Sequence, residues 1–231
     1  MKREKPREPH PGDLLLLGKR LVLCLEKKGK KSKVLTATGA SKTVKASDLL
    51  GPFGMEVDPG LQRSEVSKKL SELVLELQEK EREVKVSDLW ELLIDEGGDF
   101  SPAELAQLWF GDEAPMGEMA LVLALKNDPA YFSKKKTLFS PKPKDKVEAT
   151  LRNIQVQREK EELQQEAIAW FSDLMMDRVE AELPKRLEGI VDKLKEAAID
   201  GLHTESSDEL SSLLNALSLD GEDGPLKILV K

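Results

Sequence analysis

Lysines are the residues of this sequence whose spacing suggests chemistry. Residues 27–31 read Lys-Lys-Gly-Lys-Lys, four ammonium groups around one glycine, and residues 134–136 are three consecutive lysines. Clusters of this kind neutralise phosphates and release their counterions, which is the sequence-independent part of nucleic-acid binding. Lys28, Lys30 and Lys31 in the first island, and Lys134, Lys135 and Lys136 in the second, are therefore the candidate phosphate contacts. Aromatic rings able to stack on bases are few. Phe132 and Phe139 flank the second island with Tyr131 adjacent, and packing beneath the lysines is the competing use for them.

No catalytic site is assignable in the same way. Acid–base catalysis needs carboxylates converging in a pocket, and a nucleophile needs a base within hydrogen-bond reach. Cys24, the one cysteine, sits in an apolar run and reads as a small buried hydrophobe, in keeping with a reducing compartment. His10 and His203 are far apart and lack a second cysteine, which excludes the familiar zinc patterns. His203 reads as a surface histidine at a helix end. The acidic run 220–224 has too few ligands for a calcium loop and reads as a turn. No glycine-rich phosphate motif of the Walker or dinucleotide type occurs. Neither metal ligands nor a cofactor are assigned to this chain.

Elements must hold those lysines in place. The 231 residues are 34% charged and 39% hydrophobic, against ordinary values of about 25% and about 45–50%, so small cores with much solvated helix surface are expected. The formal net charge of −7 conceals a segmentation: residues 1–52 carry a net +8, 53–130 a net −11, 131–152 a net +5 and 153–231 a net −9. Two basic islands thus stand in an acidic chain. The apolar run at 14–17 is too short for a signal-peptide core and no run approaches about 18 residues, so the expected location is the cytoplasm, with no membrane partner.

Short runs at Leu14–Leu17, Leu21–Leu25, Lys33–Thr38 and Lys42–Ala46, broken at Gly18, 27–31 and 39–41, predict a small SH3-like or OB-like β-barrel over residues 1–52 with a basic tail. The Lys-Lys-Gly-Lys-Lys island is then a hairpin tip. A Pro and Gly connector at 52–63 leads to a helix from Ser64, whose Val66, Leu70, Leu73 and Leu77 fall on one face. A second helix is expected to be capped by Ser87, with Leu89, Leu92 and Leu93 inward. A third starts at the capping box Ser101-Pro102-Glu104, turns Leu105, Leu108 and Trp109 inward and stops at Gly111. The fourth, from Pro115 to Asn127, is apolar on nearly every side. Two short strands, 131–133 and 137–140, then flank Lys134–Lys136, and this element order is that of a winged helix-turn-helix over residues 64–142 with the lysines at the wing tip.

Residues 143–231 read as a helical linker region. A stripe of Ile168, Phe171, Leu174, Met175 and Val179 is followed, after a restart at Pro184, by Leu187, Ile190, Val191, Leu194 and Ala198. A last helix spans 207–219, and the run 226–230 reads as strand. That apolar ending suits a chain that continues. The fold class expected is α+β, mainly helical: barrel, winged helix and long helical segment. The fourth helix carries Lys126 as its one basic residue and Glu118 near its start, so major-groove reading by it is not expected.

The segment from Leu89 to Leu151 resembles the winged-helix region ahead of the catalytic domain in one bacterial branch of the ribonuclease II and ribonuclease R family. The likeness rests on the Ser-Pro-Ala-Glu-Leu-Ala helix start, the Trp-Phe-Gly end at 109–111, the apolar helix, Asp128-Pro129 with Tyr131-Phe132, the basic wing and a proline before a charged long helix. The preceding module also resembles the small N-terminal β-module of those proteins. The resemblance implies processive 3′-to-5′ hydrolysis of single-stranded RNA, with magnesium held by clustered aspartates in a later catalytic domain. No such cluster stands in these 231 residues, so no catalytic residue carries over. On this resemblance the chain is an accessory region guiding single-stranded RNA, with no protein partner indicated. Two alternatives of other classes are a winged-helix DNA-binding regulator and a structural protein–protein adaptor.

Overall fold

The computed structural model describes residues 8–111, 114–176, 178, 182–200, 207–219 and 223–230, which divide into two compact units, 1–148 and 149–231. Val179, His203 and most of the acidic turn at 220–224 lie outside the described residues.

The first unit begins with five antiparallel strands, β1 (Leu14–Leu17), β2 (Arg20–Lys28), β3 (Lys31–Thr36), β4 (Ser41–Lys45) and β5 (Leu49–Leu50), in the order β4-β3-β2-β1-β5. β1 to β4 form a meander and β5 returns to pair with β1 after a 3-10 turn at Ala46–Asp48. This path is SH3-like and lacks the Greek-key crossing of an OB fold. Its ladder does not close, since β4 and β5 are edges. Leu14, Leu15 and Leu16 are all fully buried because both faces of the sheet are covered. Leu14, Leu16, Leu21, Leu23 and Leu35 face the helices, while Leu15, Val22, Cys24, Val34 and Leu49 form a smaller cluster on the other face.

Four helices follow: α1 (Arg63–Arg82), α2 (Val86–Leu93), α3 (Pro102–Phe110) and α4 (Pro115–Asn127). Val66, Leu70 and Leu77 of α1 are buried at the expected spacing. They join the sheet's Leu14, Leu23 and Leu35 in one core with α2, α3 and α4, so the connector at 52–63 runs along a shared core, into which it sends Phe53 and Val57. α2 departs from expectation at its start. The helix begins one residue before Ser87, whose hydroxyl donates to Asp88 Oδ1 at 3.0 Å and caps nothing. Its buried stripe is Val86, Leu89, Trp90 and Leu93, which leaves Leu92 60% exposed. In α3 the Ser101 capping box is present, with Ser101 N donating to Glu104 Oε2 at 2.7 Å, and Gly111 ends the helix at φ 75°. Leu105 and Ala106 are buried with Trp109 and Phe110 partly so, and Leu108, expected inward, is half exposed.

β6 (Phe132–Lys135) and β7 (Leu138–Pro141) form the wing, and Phe100 joins it through two 2.8 Å backbone hydrogen bonds with Phe139. Helix, short bridge, helix, helix and hairpin is the winged-helix order.

In the second unit, α5 (Lys144–Met175), which starts in the first, α6 (Glu188–Asp200), α7 (Ser207–Ala216) and α8 (Gly224–Leu229) gather around Ala167, Phe171, Leu187, Leu194, Leu213 and Ile228. The early part of α5 is exposed on most sides. Side-chain bonds one turn apart support it, Gln155 to Glu159 at 2.7 Å and Gln157 to Glu161 at 2.9 Å. The run 226–230, expected as strand, is instead largely α8. Pro225 occupies its first turn, where a missing N–H costs nothing, and Ile228 packs in the core. Among the described residues no helix is long and apolar enough to cross a membrane.

Candidate nucleic-acid interface

The wing is built so that its lysines protrude and its rings do not. Phe132 and Phe139 are 4% and 3% exposed, inside the core, and Tyr131 packs on Trp90 with centroids 5.7 Å apart. Trp90 Nε1 donates to the Lys142 carbonyl at 2.8 Å, Lys142 N donates to Tyr131 O at 2.8 Å and Lys142 Nζ donates to Pro129 O at 2.7 Å, so the base of the hairpin is tied to α2. The rings are thus packing groups, and no base-stacking platform stands on the wing.

Lys134 and Lys135 extend β6 beyond the strand expected from the sequence, pairing with Phe139 and Leu138, and Lys136–Thr137 is a two-residue turn. All three lysines are exposed. Lys135 Nζ lies 3.1 Å from Asp99 Oδ1. Lys136 has φ 58°, a left-handed conformation that a β-carbon makes unfavourable and that glycine or asparagine would ordinarily supply.

The other island is also a two-residue hairpin. Lys28 pairs with Lys31 across Gly29 and Lys30, Gly29 taking φ 56°. The Lys30 carbonyl accepts from Ala46 N at 2.9 Å, which ties the tip to the turn after β4. Lys28 Nζ lies 3.0 Å from Glu26, and Lys27 is bonded to Glu8, whose carboxyl it holds below the usual range by that bond and by its charge.

Lys126 does different work. Its ammonium donates to the Gly18 carbonyl at 2.7 Å, joining the end of α4 to the β1–β2 turn, and burial followed by the charges of Lys134 and Lys19 holds it below the usual lysine value. Nine of the thirteen α4 residues are buried, against α1, α3 and the rest of the core. A helix covered on this scale has no face to lay in a major groove. Gly117 makes the closeness possible, since a β-carbon there would sit 2.9 Å from the Phe110 ring.

Elsewhere, Cys24 is fully buried and its thiol is pushed up by burial and by Asp13, the opposite of what a reactive thiolate needs. A cleft of about 490 Å³ in the second unit carries Lys160 and Lys193, but both already engage Glu209, at 3.4 and 2.8 Å. Among the described residues no three His, Cys, Asp or Glu side chains come together as metal ligands.

The order of elements, the buried third helix of the motif and the basic hairpin define a winged helix whose recognition helix is a core element. Residues 72–146 match the family described as ribonuclease II, winged helix domain. An uncharacterized ribonuclease of Synechocystis sp. is 38% identical over 76 residues, which are 33% of this chain and 11% of that relative. No solved structure matches the chain. Residues 72–146 are thus similar to the winged helix domain of ribonuclease II, and the matched stretch spans only a small part of the relative's length.

Proposed function

We propose that this chain is the RNA-holding accessory region of a cytoplasmic 3′-to-5′ exoribonuclease of the ribonuclease II type, guiding single-stranded RNA by its phosphates. The observation that carries the reading is a ribonuclease II winged helix that buries its recognition helix and presents a hairpin of lysines instead. Lys134, Lys135 and Lys136 on the wing and Lys28, Lys30 and Lys31 on the sheet are the contacts, acting through charge and without base readout. The buried α4 argues against the reading as a DNA-binding regulator.

The test is a salt series. Fluorescence anisotropy of a labelled oligouridylate with the full chain gives the slope of log affinity against log salt, at about 0.7 per phosphate contact on single strands. Replacing Lys134, Lys135 and Lys136 together by Ala is expected to flatten the slope by about two units and to weaken binding alike for every base composition. An unchanged slope and affinity would refute the wing as a phosphate contact, and a preference for one duplex sequence would favour the regulator.

A further inference from the structure

The strand register places lysines side by side that are far apart in the chain. Lys28 of β2 pairs with Lys31 of β3, and Lys31 pairs on its other side with Lys45 of β4. Three ammonium-bearing side chains therefore stand in one row across three strands, on the face where, further along β3, Leu35 enters the core. Directly opposite residues have β-carbons about 5 Å apart, and like charges so placed destabilise a ladder. In the next row of the same face Glu26, Lys33 and Thr43 stand side by side. All four lysines of the two rows are exposed, and Lys28 is paired with Glu26, whereas Lys31, Lys33 and Lys45 have no carboxylate partner among the described residues.

A bulge decides which lysine of β2 stands in the row. The β2–β3 register shifts between Cys24 and Glu26. Leu23 and Leu25 both pack in the core that faces the helices, and a regular strand would continue that face at Lys27. The extra residue reverses the alternation, so Glu26 and Lys28 take that face beside Lys33 and Lys31, and Lys27 goes to the other. Without it, Lys28 would point away from Lys31 and Lys45. The bond from Ala46 N to Lys30 O then holds the hairpin tip against the end of β4.

We propose that Lys28, Lys31 and Lys45, with Lys33 beside them, form a phosphate-binding row for single-stranded RNA that acts independently of the wing. The inference rests on the RNA-holding reading above and adds to its sheet contacts Lys33 and Lys45, aligned with Lys31 by the β3–β4 register and joined by Lys28 through the bulge. An array of like charges in which only Lys28 has a carboxylate partner among the described residues is unfavourable in the free protein and is relieved when polyanion is bound.

The experiment uses the full chain, labelled oligouridylate and the same salt series, with Lys31→Ala and Lys45→Ala combined, Lys68→Ala and Lys69→Ala combined as a control of equal charge on exposed α1, and the wing triple variant. The row variant is expected to flatten the slope by about 1.4 units, which is about 25-fold in affinity between 1 M and 0.1 M salt. The control is expected to leave the slope unchanged, and row and wing effects to add. Melting of the free row variant at low salt should occur at or above the wild-type temperature. Should it melt lower, Lys31→Gln with Lys45→Gln, which keeps the aliphatic stems, carries the same binding test. A flattened slope in the wing variant alone overturns the row and leaves the wing reading standing. Equal flattening by row and control overturns it too, as an effect of net charge. No binding by wild type at 50 mM salt refutes the RNA reading and the row with it.

Discussion

Replacing Lys136 by glycine should make the protein more stable and a poorer RNA binder at once. Lys136 sits at φ 58° in the two-residue turn between Lys135 and Leu138, exposed and without an ion-pair partner among the described residues. Left-handed backbone costs an L-residue about 1–2 kcal/mol. Glycine avoids that cost but gives up about 0.5–1 kcal/mol in chain entropy, so the net gain expected is about 0.5 kcal/mol, or about 1–2 °C in melting temperature for a unit of this size. The loss of one phosphate contact should flatten the salt slope by about 0.7, about fivefold in affinity between 1 M and 0.1 M salt. Differential scanning calorimetry of the free protein and anisotropy with oligouridylate measure the two quantities on one sample. Lower stability would show that the turn conformation carries no strain, and unchanged affinity would show that the lysine is there for another reason. Both effects in the expected direction would mean that a strained position is kept for its charge.

Two further outcomes concern what holds the wing's platform together. Trp90→Phe removes the donor to the Lys142 carbonyl while keeping most of the apolar area, and should destabilise the first unit by about 1–2 kcal/mol in urea unfolding; no change would mean that this bond does not anchor the hairpin. Burial raises the Glu118 carboxyl above its ordinary value of 4.5. The folded state therefore holds that proton more tightly than the unfolded one, and the destabilisation from ionising it is absent below 4.5, grows as pH rises from there towards the folded value and is complete above it. Glu118→Gln should accordingly melt higher than wild type at pH 7 and no higher at pH 4, and a difference independent of pH would refute the burial argument.

Signals that act within a few residues were legible in the amino-acid sequence. The Ser101 box, the Gly111 stop and the apolar spacing of α1 follow from backbone groups and side chains one turn apart, and the same holds for the glycine at the β2–β3 turn. Element order followed from them, and with it the winged helix and its basic tip. Ser87 shows the limit. A good capping residue was passed over, because the buried stripe of Val86, Leu89, Trp90 and Leu93 set where α2 sits. Leu92 and Leu108 are exposed for a related reason: helical spacing says which leucines share a face, and neighbouring elements decide which face is covered. The run 226–230 is apolar enough for strand or helix, and packing into the second unit's core made it helix. The candidate interface divides along the same line. Lys134–Lys136 and Lys28–Lys31 are adjacent in sequence and so visible in it. The row of Lys28, Lys31 and Lys45 exists only through strand pairing and a bulge, because which side chains stand opposite is decided by long-range register, and one inserted residue turns every later side chain to the other face.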